Sequence, residues 1–149
     1  MQLNLKGKHI FSLVKLINKM NIKKDVKEFF KIATKNANKK NTASLKLKLA
    51  LGELEANEEN VNKVFEENEE LKEEFASVQE LQRELMFDIA FFIMEKTGEG
   101  EQDIFKLLAD MYSVPLQEIS ELGFNEMLEA IMEIIRNEEI QKGFLSIFK

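Results

Sequence analysis

The stretch Val61–Lys96, VNKVFEENEELKEEFASVQELQRELMFDIAFFIMEK, decides how the rest of the chain is read. Its apolar residues recur as Val61, Val64, Leu71, Phe75, Val78, Leu81, Leu85, Ile89 and Phe92. The steps are three and four residues, except where Asn68 interrupts the stripe, and that spacing lays the set along one helix face. The stretch contains no Gly or Pro. At roughly 1.5 Å per residue the helix would be on the order of 50 Å long. Its first half is a narrow stripe among glutamates, whereas Met86 to Met94 is apolar nearly all round and reads as buried. One helix that starts exposed and ends in a core is therefore expected. What covers the stripe from Val61 to Val78 is open at this level: Leu45 to Leu54, the basic N-terminal segment or a second copy.

Outward from that helix the chain is asymmetric in charge. The net charge is −6, yet residues 1–48 hold thirteen Lys against Asp25 and Glu28, a net +11. Residues 49–149 hold eight basic and 25 acidic side chains, a net −17. Such a split predicts a basic segment with an acidic partner inside the chain, in a neighbouring copy or elsewhere. There is no Cys, so disulfide and thiol chemistry are excluded. No secretory signal is legible in Met1–Met20, and the longest apolar run, Ile89–Met94, is far short of the roughly 20 residues of a membrane span. A soluble, intracellular protein is expected.

Before the long helix, His9–Met20 carries a broad apolar face, and Asn21 ends it. A second helix over Lys23–Ala37 turns Val26, Phe29, Phe30 and Ala33 inward, giving a short basic αα-hairpin. NANKKNTAS, Asn36–Ser44, is polar and without periodicity, and is expected to be a flexible link. Leu45, Leu47, Leu49 and Leu51 alternate as a strand would, but their neighbours favour helix. Helix over 45–56 is the reading adopted, with Asn57–Asn60 either a break or helix running on.

After the long helix, GEGEQD, Gly98–Asp103, is expected to be a loop. Helices follow over Asp103–Tyr112, Leu116–Leu122, which Gly123 closes, Phe124–Arg136 and Glu138–Ile147. The expected fold is all-α: a helical bundle with one long central helix and a basic N-terminal helical hairpin. Its expected parts are residues 1–40, 41–97 and 98–149.

No catalytic or metal-binding pattern stands out. The only histidine, His9, reads as a surface or half-buried helix residue, since a general base needs an orienting partner. None of the six serines lies in a Gly-x-Ser-x-Gly elbow, and no glycine-rich phosphate loop is present. The glutamates from Glu66 to Glu74 lack the positions of a calcium loop, and Glu95, Glu99 and Glu101 read as a loop and helix start rather than an ion site. The lysines from Lys8 to Lys35 could bind phosphates non-specifically, but Phe11, Phe29 and Phe30 among them sit at core spacing, and no Arg precedes Arg83. Nucleic acid is therefore not the expected partner. No metal, cofactor or catalytic residue is assigned.

The surplus is apolar: twelve Phe and seven Met. Helical grooves rich in these residues bind partner helices adaptably. Residue type and position single out Phe91, Phe92, Met94, Phe105, Met111, Met127 and Met132 as the partner-binding set.

A family resemblance lies in the same region. LLADMYSVPLQEISELGFNEMLEAIMEIIRNEEIQKGFLSIF, Leu107–Phe148, resembles the C-terminal region of the tail assembly chaperones of long-tailed bacteriophages. The matching features are the short helix introduced by VPLQEI, then LGFNEMLEAIMEII, then an acidic break and a terminal phenylalanine helix. The preceding FDIAFFIMEK, Phe87–Lys96, is similar to the helix that family places before this region. LKGKHIFSLVKLINKMNIKKDVKEFF fits only loosely, and the Glu-rich stretch Asn57–Glu84 departs from the shortest members. The resemblance implies an all-α, non-enzymatic, homo-oligomeric protein in the host bacterial cytoplasm. It also implies a hydrophobic groove that keeps the helical tape measure protein soluble during tail assembly. A coiled-coil adaptor built on Val61–Leu85 and a basic nucleic-acid-binding module are the rival readings.

Overall fold

The computed structural model describes residues 1–148, apart from the side chains of Thr97 and Glu99. The chain is all-α. In order the helices are α1 (Gly7–Met20), α2 (Lys23–Leu51), α3 (Glu58–Glu67), α4 (Glu69–Tyr112), α5 (Leu116–Ser120), α6 (Phe124–Arg136) and α7 (Glu138–Ile147). Among the described residues there is no strand.

Three helix starts share one local signal, the triplet Asn-Glu-Glu. At Asn57, Asn68 and Asn137 the side-chain oxygen accepts a hydrogen bond from the backbone N–H three residues on, at 2.9, 3.1 and 3.1 Å. The two glutamates that follow each Asn fall in the first turn, where the helix dipole favours negative charge. The second triplet explains why the single helix expected over Val61–Lys96 is broken. Asn68 leaves helical geometry (φ −132°, ψ 84°), its N–H donates to the Val64 carbonyl, and it closes α3 while capping α4. The skipped position in the stripe is thus the break itself.

One expected loop is helical, and the other is a kink between two helical segments. The polar run Asn36–Ser44 lies inside α2, which continues to Leu51. It contains no Gly or Pro, and Asn, Thr and Ser each cost only a few tenths of a kcal/mol in a helix interior. Ala43 and Leu51, buried on one face, hold the helix through it. The leucine alternation resolves the same way: Leu47 and Leu51 turn inward, while Leu45 and Leu49 stay exposed. Gly52 ends α2 with φ +59°, a left-handed conformation that glycine adopts without strain.

GEGEQD is the second case. The path of α4 runs through it, with only Gly100 departing from helical angles (φ −146°, ψ 16°). The glycine sits close against the flexible end of the Met20 side chain. A Cβ at Gly100 would stand 2.8 Å from Met20 Sδ, so the kink packs directly on the end of α1. Gly123 also differs from expectation. It precedes α6 rather than closing α5, with φ −66° and its N–H donating to Glu126 Oε2 at 2.9 Å.

The chain forms two compact units, Met1–Lys31 with Met86–Lys149, and Ile32–Leu85. This grouping cuts across the three sequence-based parts. In the first unit the core gathers Ile17, Phe30, Ile89, Met111, Met132, Ile140 and Phe144. Phe144 meets Phe30 edge-on at 4.9 Å, and Phe29 meets Phe92 edge-on at 5.3 Å. Gly143 brings α7 close to α1, since a Cβ there would stand 3.0 Å from Ile10 Cδ1. In the second unit the core is small: Ala43, Leu51, Val64 and Leu71, with Leu47, Val61, Phe65 and Phe75 at its edge. The stripe from Val61 to Leu71 is therefore covered by the later half of α2. Lys46 and Glu74 close that contact at 2.6 Å.

Candidate partner-binding surface

The first unit holds an apolar stripe that the described residues leave exposed. At roughly 100° per residue, Phe87, Phe91 and Met94 fall on one line along α4, on the side away from Ile89. Ile89 is buried, whereas Phe87, Phe91 and Met94 are 59, 67 and 65% exposed. The reading of Met86–Met94 as buried on all sides is corrected: neighbours occupy one side of the helix only. Burying a side chain of this size stabilises by about 1.5 to 3 kcal/mol. Three in a row leave a surface that a second apolar helix could cover. Asp88 and Glu95 are exposed along one border of the stripe.

The seven residues chosen from sequence divide sharply. Phe91 and Met94 lie on the stripe. Phe92 is half-buried against Phe29, and Phe105 is half-buried. Met111, Met127 and Met132 are core residues, with Met111 and Met132 fully enclosed, and they offer no surface in this conformation. Phe87 was missed, although its spacing to Phe91 and Met94 marks it. The inward period that Ile89 and Phe92 obey leaves Phe87 facing out. The second unit has its own exposed pair, Leu45 and Leu49, one turn apart on α2 beside Lys46 and Lys48.

Part of the charge asymmetry is answered within the chain. In the first unit Lys8 pairs with Asp110 at 2.8 Å and Lys19 with Asp103 at 2.6 Å. The hydrogen bond from each lysine holds the aspartate below the usual carboxylate range. In the second unit the hydrogen bond to Glu74 holds Lys46 above its ordinary value. All three pairs lie at the surface, where solvent screening keeps their stabilisation small.

His9 is more deeply buried than the surface or half-buried position expected for it. It is 1% exposed, and its Nδ1 accepts a hydrogen bond from the Lys6 N–H at 3.0 Å. Its Nε2 lies 3.3 Å from Asp110 Oδ2. The ring therefore organises the first turn of α1 against α4. Next to it, the Asn4 N–H donates to the Met111 carbonyl at 2.8 Å, which ties the preceding segment to the end of α4.

Tyr112 fixes α6 in a similar way. Its hydroxyl lies 2.9 Å from the Ala130 carbonyl and 2.6 Å from Glu133 Oε2. Burial, then the Glu133 hydrogen bond, keeps the phenol protonated far above its ordinary range. A phenol so held is a structural donor. The open cleft beside it, about 820 Å³, is lined by Tyr112, Glu118, Glu126, Glu129, Glu133 and Arg136.

Among the described residues no three His, Cys, Asp or Glu side chains stand together as metal ligands. Of Glu95, Glu99 and Glu101, the side chain of Glu99 lies outside the described residues. No helix of the described residues is long and apolar enough to cross a membrane. Compared with known proteins, the chain matches no family model, no curated protein and no solved structure.

Proposed function

We propose that this chain is a non-enzymatic holdase that binds an apolar helical partner along Phe87, Phe91 and Met94. The carrying observation is that stripe: large apolar side chains at i, i+4 and i+7, exposed on a helix whose opposite side is anchored in a core. A holdase needs such a surface bordered by charge, so that it binds partners and stays dispersed. The partner class named by the C-terminal resemblance is the tape measure protein of long-tailed phages, and the site of action is the host cytoplasm. Self-association through the same stripe in the absence of client belongs to this reading.

Two observations weigh against the rivals. A coiled coil through Val61–Leu85 needs a free apolar seam, and Val64 and Leu71 already pack against Ala43 and Leu51. A nucleic-acid module needs its lysines for phosphate, and three of the thirteen in residues 1–48, Lys8, Lys19 and Lys46, are held in ion pairs within the chain.

Co-expression with a tape measure protein of a long-tailed phage tests the proposal. The expected result is a several-fold larger soluble fraction of that protein than in cells lacking the chain. An unchanged fraction would refute the reading. Binding to single-stranded or duplex DNA that weakens steeply with salt would favour the basic module instead.

A further inference from the structure

Inside the first unit, α1, α2, α4 and α6 do not close completely on one another. They leave a cavity of about 110 Å³ whose walls include Ile17, Phe29, Ile89, Leu108 and Ile135. No polar atom lines it. A buried water needs two to four polar partners, so this space has nothing to hold one and stays dry. The cause lies in the packing: branched Ile and Leu from four helices converge, and their ends cannot fill the common centre. A void of this kind costs stability through contacts its lining does not make.

We propose that this cavity is a binding site for a small, uncharged, apolar molecule about the size of a benzene ring. The volume sets the size, because dry apolar cavities on the order of 150 Å³ accept benzene or xenon. The all-carbon wall sets the chemistry, since a hydroxyl or charge would enter without a hydrogen-bond partner. The entry is also marked. Leu16 and Leu107 line both the cavity and a polar surface cleft that carries Lys15, Lys19 and Asp110. Both leucines are half-buried. They stand between the cleft and the cavity.

Thermal unfolding and methyl NMR of the full chain, with and without benzene, test this site. At a benzene concentration ten times its Kd, the folded-to-unfolded ratio rises about 11-fold, which lifts the midpoint by a few degrees. Benzene is expected to shift the methyl resonances of Leu13, Ile17, Leu107 and Ile131, and phenol at the same concentration to act far more weakly. Ile104→Phe, which pushes a ring in from the wall, should abolish the benzene response. Should that variant fail to fold, the methyl map of the unaltered chain still decides. No midpoint shift, or resonance shifts confined to Met94 and other surface methyls, would overturn the proposal. The F87E/F91E double variant keeps the response if the cavity is the site, so failure here is separable from failure of partner binding.

Discussion

Two phenylalanine pairs, one in each compact unit, have opposite surroundings. In the second, Phe65 and Phe75 on α3 and α4 pack ring to ring at 5.4 Å beside Val64 and Leu71. In the first, Phe87 and Phe91, further along α4, face solvent although Ile89 between them is buried. The sequence around both pairs is helical and amphipathic. What differs is how many sides of the helix have neighbours. The lesson is that a helix segment apolar all round need not be enclosed: one side can build the core while the other stays open to a partner.

Substitutions in the two cores should break this comparison most strongly. Phe144→Ala removes a fully buried ring that touches both Phe30 and Phe148. A loss of about 3 to 5 kcal/mol is expected in chemical denaturation. Leu71→Ala in the smaller core should cost about 2 to 4 kcal/mol. Its distinguishing readout is amide exchange: protection should fall over residues 43–75 and much less over α6 and α7. Equal loss of protection across the whole chain would contradict a separate second core.

Smaller effects sharpen the boundaries. Asn68→Ala removes the cap between α3 and α4 and should cost about 1 kcal/mol. Gly52→Ala places a side chain at φ +59° and should cost about 1 kcal/mol, although nothing would touch the new methyl. If Gly52→Ala proves neutral, α2 does not end in the left-handed cap described.

The smallest effect is electrostatic. Asp103 and Asp110 have folded pKa values below their ordinary 3.8. Their contribution is therefore present above pH 3.8 and is lost as the pH falls through the folded values. Asp103→Asn should flatten the acid limb of the stability curve slightly and leave the neutral region almost unchanged. Both carboxylates are solvent-exposed enough that 1 M salt should erase most of the difference.

Much of the helical order was legible because period and punctuation agree there. Phe124–Arg136 and Glu138–Ile147 fall where the apolar spacing and Asn137 put them. Where composition and burial disagree, burial wins. Asn36–Ser44 looks like a linker from its side chains, but it has no breaker and Ala43 is buried on its inner face. GEGEQD reads as a loop between two helices, and two helical segments do meet there, across a kink confined to Gly100 beside Met20.

The candidate surface was half legible. Choosing residues by type drew in Met111, Met127 and Met132, which the core consumes. Angle relative to Ile89 along α4 would have added Phe87, while Met127 and Met132 lie on α6, where the apolar face packs inward. His9 could not be placed from sequence, because its partners, the Lys6 N–H and Asp110, meet it only through the packing of α1 on α4.

The central claim is that the outward face of α4 binds the partner while contributing little to the fold. The most direct measurement compares the unaltered chain with F87E/F91E, co-expressed with the same tape measure protein. The account predicts that the double variant keeps its unfolding midpoint within a few degrees and loses most of its solubilising effect. Full solubilising activity in a folded F87E/F91E variant would contradict it.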